Sequence, residues 1–219
     1  MSAKPVLVIG SKNYSSWSLR PWLLLRQFGV AFEEILLPLD VPEFYARIRD
    51  FSPTGRVPVL HDGEVRVWDS LAIAEYANER WLGGRGWPAA AAARALARSI
   101  SAEMHSGFAA LRSELPMNCR KRVQNHPASA EARADIARAK AIWRDARARY
   151  GTDGPFLLGA FGIADAMYAP VVLRFVSYDV ELDSAERAYA DTILALPAMQ
   201  DWLASTVNEP IAPLHEQSK

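Results

Sequence analysis

Strand signals are confined to roughly the first eighty residues of this chain, and the remainder offers almost none. A sequence divided in that way has to place a small sheet at one end and helices at the other. Val6-Leu7-Val8-Ile9 is a short apolar run closed by Gly10, the pattern of a buried strand, and residues 17–28 repeat apolar side chains at helical spacing before Gly29. Residues 32–37 form a second strand pattern. Residues 57–60 and 64–68, separated by His61-Asp62-Gly63, read as a hairpin with an Asp-Gly turn pair. From Asp69 a helix is expected through Trp81.

The resulting order is strand, helix, strand, helix, two paired strands, helix. It predicts an α/β unit of thioredoxin-like topology, a four-stranded mixed sheet with helices on both faces. Residues 83–88 have linker composition. Beyond them residues 89–115 and 130–150 are rich in Ala and Arg and free of proline, as long helices are, and shorter helices are expected from about Ile163, Ser184 and Pro197. The expected organisation is therefore a thioredoxin-like domain over residues 1–82, a linker over 83–88 and an all-α domain over 89–219.

Lys plus Arg and Asp plus Glu are equal at 25 each in 219 residues. No global field then draws the chain to nucleic acid or to an anionic membrane surface. No apolar stretch approaches the ~20 residues of a membrane span, since Arg26 and Arg174 interrupt the best candidates. The first residues, Met1 to Lys4, lack the pattern of a signal peptide, and one cysteine, Cys119, makes no internal disulfide. A cytoplasmic location is expected by default.

Three segments place reactive or binding side chains where a strand or loop meets a helix. In Tyr14-Ser15-Ser16-Trp17-Ser18-Leu19-Arg20-Pro21 the hydroxyls are natural N-caps, and one of them is also placed to donate to an anion at the positive helix end. Pro21 leaves the register open: Ser18 is the cap, or the helix starts near Ser16 and contains the proline. In Ser52-Pro53-Thr54-Gly55-Arg56-Val57-Pro58, the Val57-Pro58 pair entering a strand is a candidate cis peptide presenting Val57 to a peptide-like ligand; a trans edge proline is the ordinary alternative. In Trp68-Asp69-Ser70, the Asp and Ser are ordinary caps that can also grip an amino-acid head, Asp69 taking an ammonium and Ser70 a carboxylate.

Taken in order, these segments resemble the glutathione transferase superfamily over essentially the whole chain. The resemblance implies that Pro58 is the family's cis proline, that Val57 pairs by backbone with the cysteinyl part of glutathione, and that Asp69-Ser70 binds its γ-glutamyl end. The Ser-Ser-x-Ser-x-Arg run is most similar to serine-type, zeta-like bacterial members, with Trp17 where a cysteine is usual. Matching residue by residue puts the thiol-contacting hydroxyl at Ser15, with Ser16 its nearest rival and Tyr14 next, as other branches use a tyrosine. Phe156-Leu157-Leu158-Gly159 and Ile163-Ala164-Asp165-Ala166 resemble the helical-domain signature, with Gly162 in the usual Ser or Thr cap position. The family further implies glutathione as cosubstrate without a metal, a small electrophile as second substrate, detoxification chemistry and a homodimer.

The energy demanded is modest. A thiol of pKa near 8.5 must fall by roughly two units to be mostly ionised at pH 7, about 2.7 kcal/mol, and a charge-assisted hydroxyl bond of about 1.5–3 kcal/mol with a helix end of about 0.3–1 supplies it.

His61, His105, His126 and His215 lack metal-ligand spacing, and no zinc site is expected. His105, placed mid-helix in the expected long helix, is a candidate wall of the electrophile site, with a surface or core role as the alternative. Arg174 is similar to the arginine by which zeta members hold a substrate carboxylate, although it falls three residues early relative to Pro170; a structural ion pair is the alternative. Arg47, Arg49, Asp50 and Arg56 read as a solvated face from which one arginine, Arg56, meets the glycyl carboxylate of glutathione. Cys119 reads as a small buried hydrophobe. Three functions fit: conjugation of glutathione to small electrophiles, a glutathione-dependent cis–trans isomerase of maleylacetoacetate or maleylpyruvate type, and a non-catalytic glutathione-binding adaptor.

Overall fold

A computed structural model describes residues 4–212; Met1–Ala3 and His215, with the rest of the polar tail, lie outside the described residues. Strand β1 (Val6–Gly10) pairs in parallel with β2 (Glu33–Leu37) and antiparallel with β3 (Val59–Asp62), which pairs antiparallel with β4 (Val65–Trp68). The sheet order is β2-β1-β3-β4. Helices α1 (Ser16–Gln27), α2 (Pro42–Phe51) and α3 (Ser70–Arg80) complete the N-terminal unit, a thioredoxin-like four-stranded mixed sheet.

Period-2 alternation on β1 explains why helices sit on both faces. Leu7 and Ile9 enter the large core shared with α1, α3 and the helical part of the chain, while Val8 faces a smaller cluster with Phe44 and Ile48 of α2. The hairpin differs from expectation: β3 continues through His61 and Asp62, and the two turn residues are Gly63 and Glu64. Gly63 alone takes a left-handed φ, +60°, at the first turn position, which is the demand of a type II′ turn.

The second half is all α: α4 (Ala91–Ser106), α5 (Ala109–Glu114), α6 (Ala130–Tyr150), α7 (Ile163–Ser177), α8 (Ser184–Leu194) and α9 (Pro197–Thr206). The long helix expected over residues 89–115 is broken. Gly107 ends α4 and Phe108 turns left-handed at φ +57°, so α5 starts anew at Ala109. A side chain at 107 would meet the Glu103 carbonyl at 2.9 Å, which is why the break sits on a glycine. His105 accordingly lies in the last turn of α4 rather than mid-helix.

Candidate functional site

Helix α1 starts where the loop after β1 runs out of strand partners. Ser15 is its N-cap: its Oγ accepts from Ser18 N at 3.4 Å and donates to Ser18 Oγ at 2.7 Å, and Ser18 Oγ also accepts from Gly10 N at 3.1 Å. Of the two registers left open by Pro21, the helix begins at Ser16 and contains the proline. Ser16, in the first turn, has a different partner. Its Oγ accepts from Arg174 Nη2 at 3.2 Å.

Arg174, on α7, is 4 % exposed, and its other donors go to the Leu115 carbonyl at 2.9 Å and the Pro170 carbonyl at 3.4 Å. Among the described residues its hydrogen-bond partners are neutral oxygens rather than the carboxylate of an ion pair. Burial, and then the nearby Arg112 cation, pull its pKa down to about 10, so it remains charged at neutral pH. An arginine has no acceptor. Ser16 therefore has to accept from it, and its own hydroxyl proton is left to turn toward the cavity.

That cavity, about 560 Å³, is bounded by Ser15, Ser16, Trp17, Arg112, Met117 and Arg174, with Asp40 and Arg56 also on its lining. A neighbouring groove of about 530 Å³ is lined by Trp17, Arg56, Val57, Pro58, Asp69 and Ser70. Trp17, Arg56 and Val57 line both, and cations and a ring gather on Trp17. The Arg20 guanidinium lies 4.2 Å over its centroid, Arg112 lies at 5.4 Å, and the His105 ring meets it edge-on at 5.2 Å.

Along the groove the Val57–Pro58 bond is cis, and sheet pairing begins only at Val59, so Val57 precedes the ladder. Asp69 caps α3 from a left-handed backbone, φ +78°, with Oδ1 accepting from Leu71 N at 2.9 Å and Ala72 N at 3.4 Å. Its Oδ2 lies 3.1 Å from His105 Nε2. Ser70 repeats the logic of Ser16: its Oγ accepts from Arg20 Nη1 at 3.3 Å, so its own proton is free to face an anion. Arg20 is 2 % exposed, and burial followed by repulsion from Arg174 and Arg112 lowers its pKa to about 9.

The structure thus brings Ser15, Ser16, Trp17, Arg56, Val57, Pro58, Asp69, Ser70 and Arg174 onto two adjoining hollows, with His105 behind Asp69. Tyr14 lies on the cavity lining too, but its hydroxyl is engaged by Arg120 Nη2 at 3.2 Å. Other residues singled out from the sequence serve elsewhere. His61 Nε2 is 2.8 Å from the Phe51 carbonyl, His126 packs on Tyr178, and the buried Cys119 thiol is pushed up to about 12 by desolvation. Asn13, in the loop before Ser15, is buried with its amide donating to Asn118 Oδ1. Sequence reasoning missed Arg20 and Arg112. Arg20 closes the Ser-Ser-x-Ser-x-Arg run, but nothing in that run gave it a role of its own; Arg112 had no signal, because α5 was hidden in a longer helix.

The geometry agrees with what comparisons find. Residues 14–80 match the family described as glutathione S-transferase, N-terminal domain. The superfamily is supported. A dichloromethane dehalogenase from Methylorubrum extorquens is 41% identical over 65 residues, 29% of this chain and 23% of that protein, so the match spans about a quarter of that relative's length. Protein IN2-1 of Zea mays is 27% identical over 203 residues, covering 88% of this chain and 76% of its own. Among solved structures, a glutathione transferase homologue from Burkholderia (BGR1) with bound glutathione superposes with a TM-score of 0.71 at 22% identity, over 93% of this chain and 98% of that one. The thioredoxin-like unit followed by helices is the fold of these transferases. Among the described residues no helix is long and apolar enough to cross a membrane.

Proposed function

We propose that the protein binds glutathione along the groove and conjugates its thiolate to a small electrophile held in the adjoining cavity. The observation that carries this reading is that Ser16 accepts from the buried Arg174 cation on the lining of a cavity that shares Trp17, Arg56 and Val57 with the Asp69–Ser70 groove, which leaves its hydroxyl proton for a sulfur there. In the proposed pose the γ-glutamyl ammonium lies at Asp69, the γ-glutamyl carboxylate at Ser70, the cysteinyl backbone at Val57 beside Pro58, and the glycyl carboxylate within reach of the exposed Arg56.

The thiol then lies at the start of α1, where Ser15 and Ser16 donate to the sulfur. Ser15 has to give up its bond to Ser18, costing about 1 kcal/mol against the about 1.5–3 kcal/mol of a bond to a thiolate; Ser16 gives up none. The positive end of α1 and Arg174 add to the field. The ionised sulfur attacks the electrophilic carbon, a C–S bond forms as the bond to the leaving group breaks, and the leaving group departs with the electron pair. The partial similarity to a protein named dichloromethane dehalogenase makes a small halide a reasonable first electrophile.

A second reading, glutathione-dependent isomerisation of a maleyl compound, is favoured by one observation: besides Arg56, Arg112 and Arg174 line the cavity and suit a carboxylate-bearing substrate. Calorimetry with glutathione, followed by assays on an aryl halide, a dihalomethane and a maleyl compound, separates the readings. Binding with turnover of a halide supports conjugation. Turnover of the maleyl compound alone supports the isomerase, binding with no turnover leaves a glutathione-binding adaptor, and no binding contradicts all three. A homodimer in the cytoplasm is part of the proposal, and sedimentation velocity tests the dimer.

A further inference from the structure

Asp69 sits between two claims on its carboxylate. Oδ1 is committed to the helix cap through Leu71 N and Ala72 N, while Oδ2, in a side chain 41% exposed, faces His105 Nε2 at 3.1 Å. An ammonium brought to this carboxylate therefore meets Oδ2, the oxygen that His105 already holds. We propose that His105 is a positioning residue for the amino-acid end of the bound peptide: in its neutral form it donates Nε2–H to Asp69 and leaves the carboxylate its full charge, and in its protonated form it competes with the ligand ammonium for that charge. This rests on the γ-glutamyl site proposed above.

Three features favour the neutral ring when the site is empty. Nδ1 is buried and has no hydrogen-bond partner among the described residues, so a proton added there would be an unmatched buried donor. The ring is also wedged edge-on against Trp17 at 5.2 Å, which limits its freedom to flip Nδ1 outward. The charged groups around it come from three elements. Asp69 at the start of α3 favours the cation, while Arg20 of α1 and Arg112 of α5 oppose it; Arg112 also donates to the His105 carbonyl at 3.2 Å. Burial is the largest influence, and the net direction of the His105 pKa is down.

A ligand ammonium at Oδ2 adds a further cation within a few ångströms, so by linkage ligand binding lowers the His105 pKa and acid weakens ligand binding. The carboxylate of the same amino-acid end lies one contact further away, at Ser70, and offsets only part of this.

S-methylglutathione is the suitable probe, because it has no thiol to titrate. Its affinity for the wild-type protein should fall several-fold between pH 7.5 and pH 5, whereas His105→Gln, which keeps an N–H donor but does not titrate, should bind with a nearly flat profile. His105→Ala should bind several-fold more weakly at pH 7.5, and the His105 ring, followed by its Cε1–H resonance, should titrate at lower pH with the ligand than without it. Equal pH profiles for wild type and His105→Gln, or a His105 titration that the ligand leaves in place or raises, would overturn the inference while leaving the γ-glutamyl site standing. If Asp69→Asn binds S-methylglutathione as tightly as wild type, or wild type does not bind it at all, the site reading itself fails and the inference with it.

Discussion

At the scale of single residues, Ser15 cannot be altered without touching the fold, because it is the N-cap of α1 and not a residue ahead of it. Ser15→Ala is expected to lower stability by about 0.5–2 kcal/mol through the lost cap, and Ser16→Ala, which removes no cap, by about 1–3 kcal/mol because it leaves the buried Arg174 Nη2 without its acceptor, both measurable by denaturant titration. Asp69 likewise has two tasks. Asp69→Ala is expected to weaken glutathione by about 1–3 kcal/mol, read by calorimetry, and to cost stability as well through the lost cap on Leu71 N and Ala72 N. The candidates were legible because hydroxyls and an Asp-Ser pair stand where strands give way to helices. Their roles were not, because the arginines that decide which serine proton is free, Arg20 and Arg174, reach Ser70 and Ser16 from positions 50 and 158 residues away.

At the scale of elements, strand and helix starts followed from periodicity and caps, and α6 to α9 begin where such signals stand. The break between α4 and α5 is not legible from the absence of proline, because a single glycine, Gly107, ends α4 where a side chain would meet the Glu103 carbonyl. Helix α7 shows how a cap can carry a pH dependence. Asp165 takes the place of a side-chain cap at Gly162: its Oδ2 accepts from Gly162 N at 2.9 Å and its Oδ1 from Leu157 N at 3.0 Å. Burial outweighs these bonds and pushes its pKa from 3.8 up to about 6. A carboxyl whose folded pKa is raised binds its proton more tightly in the native state, so its contribution to stability is present below about pH 4 and is lost as the pH rises through 6. Relative to Asp165→Asn, wild type is expected to lose about 2 kcal/mol of stability between pH 4 and pH 7, followed by chemical denaturation across that range. A constant difference would contradict it.

At the scale of the whole molecule, the end of the chain secures its beginning. The Glu209 carboxylate accepts from Lys12 N at 2.6 Å and Asn13 N at 2.7 Å, and Arg120 donates to the Glu209 carbonyl at 2.9 Å while reaching Tyr14 Oη. The loop that delivers Ser15 is thus held by the helical half. Glu209→Ala leaves two backbone donors without their acceptor and is expected to destabilise by about 1–3 kcal/mol, with weaker glutathione binding because the loop before Ser15 loosens. A melting curve and calorimetry on the same variant check both effects. Nothing local in the sequence announces this contact, since its partners are 196 and 197 residues apart and the acceptor is one acidic residue shortly after α9.

The thiolate of glutathione absorbs in the ultraviolet, and titrating it in the complex tests the serine site directly. Wild type should show the bound thiol ionising well below its free value near 8.5, and both Ser15→Ala and Ser16→Ala, in protein still folded, should raise it. A bound thiol that ionises at its free value in wild type, or that neither substitution moves, would contradict thiolate stabilisation by these hydroxyls.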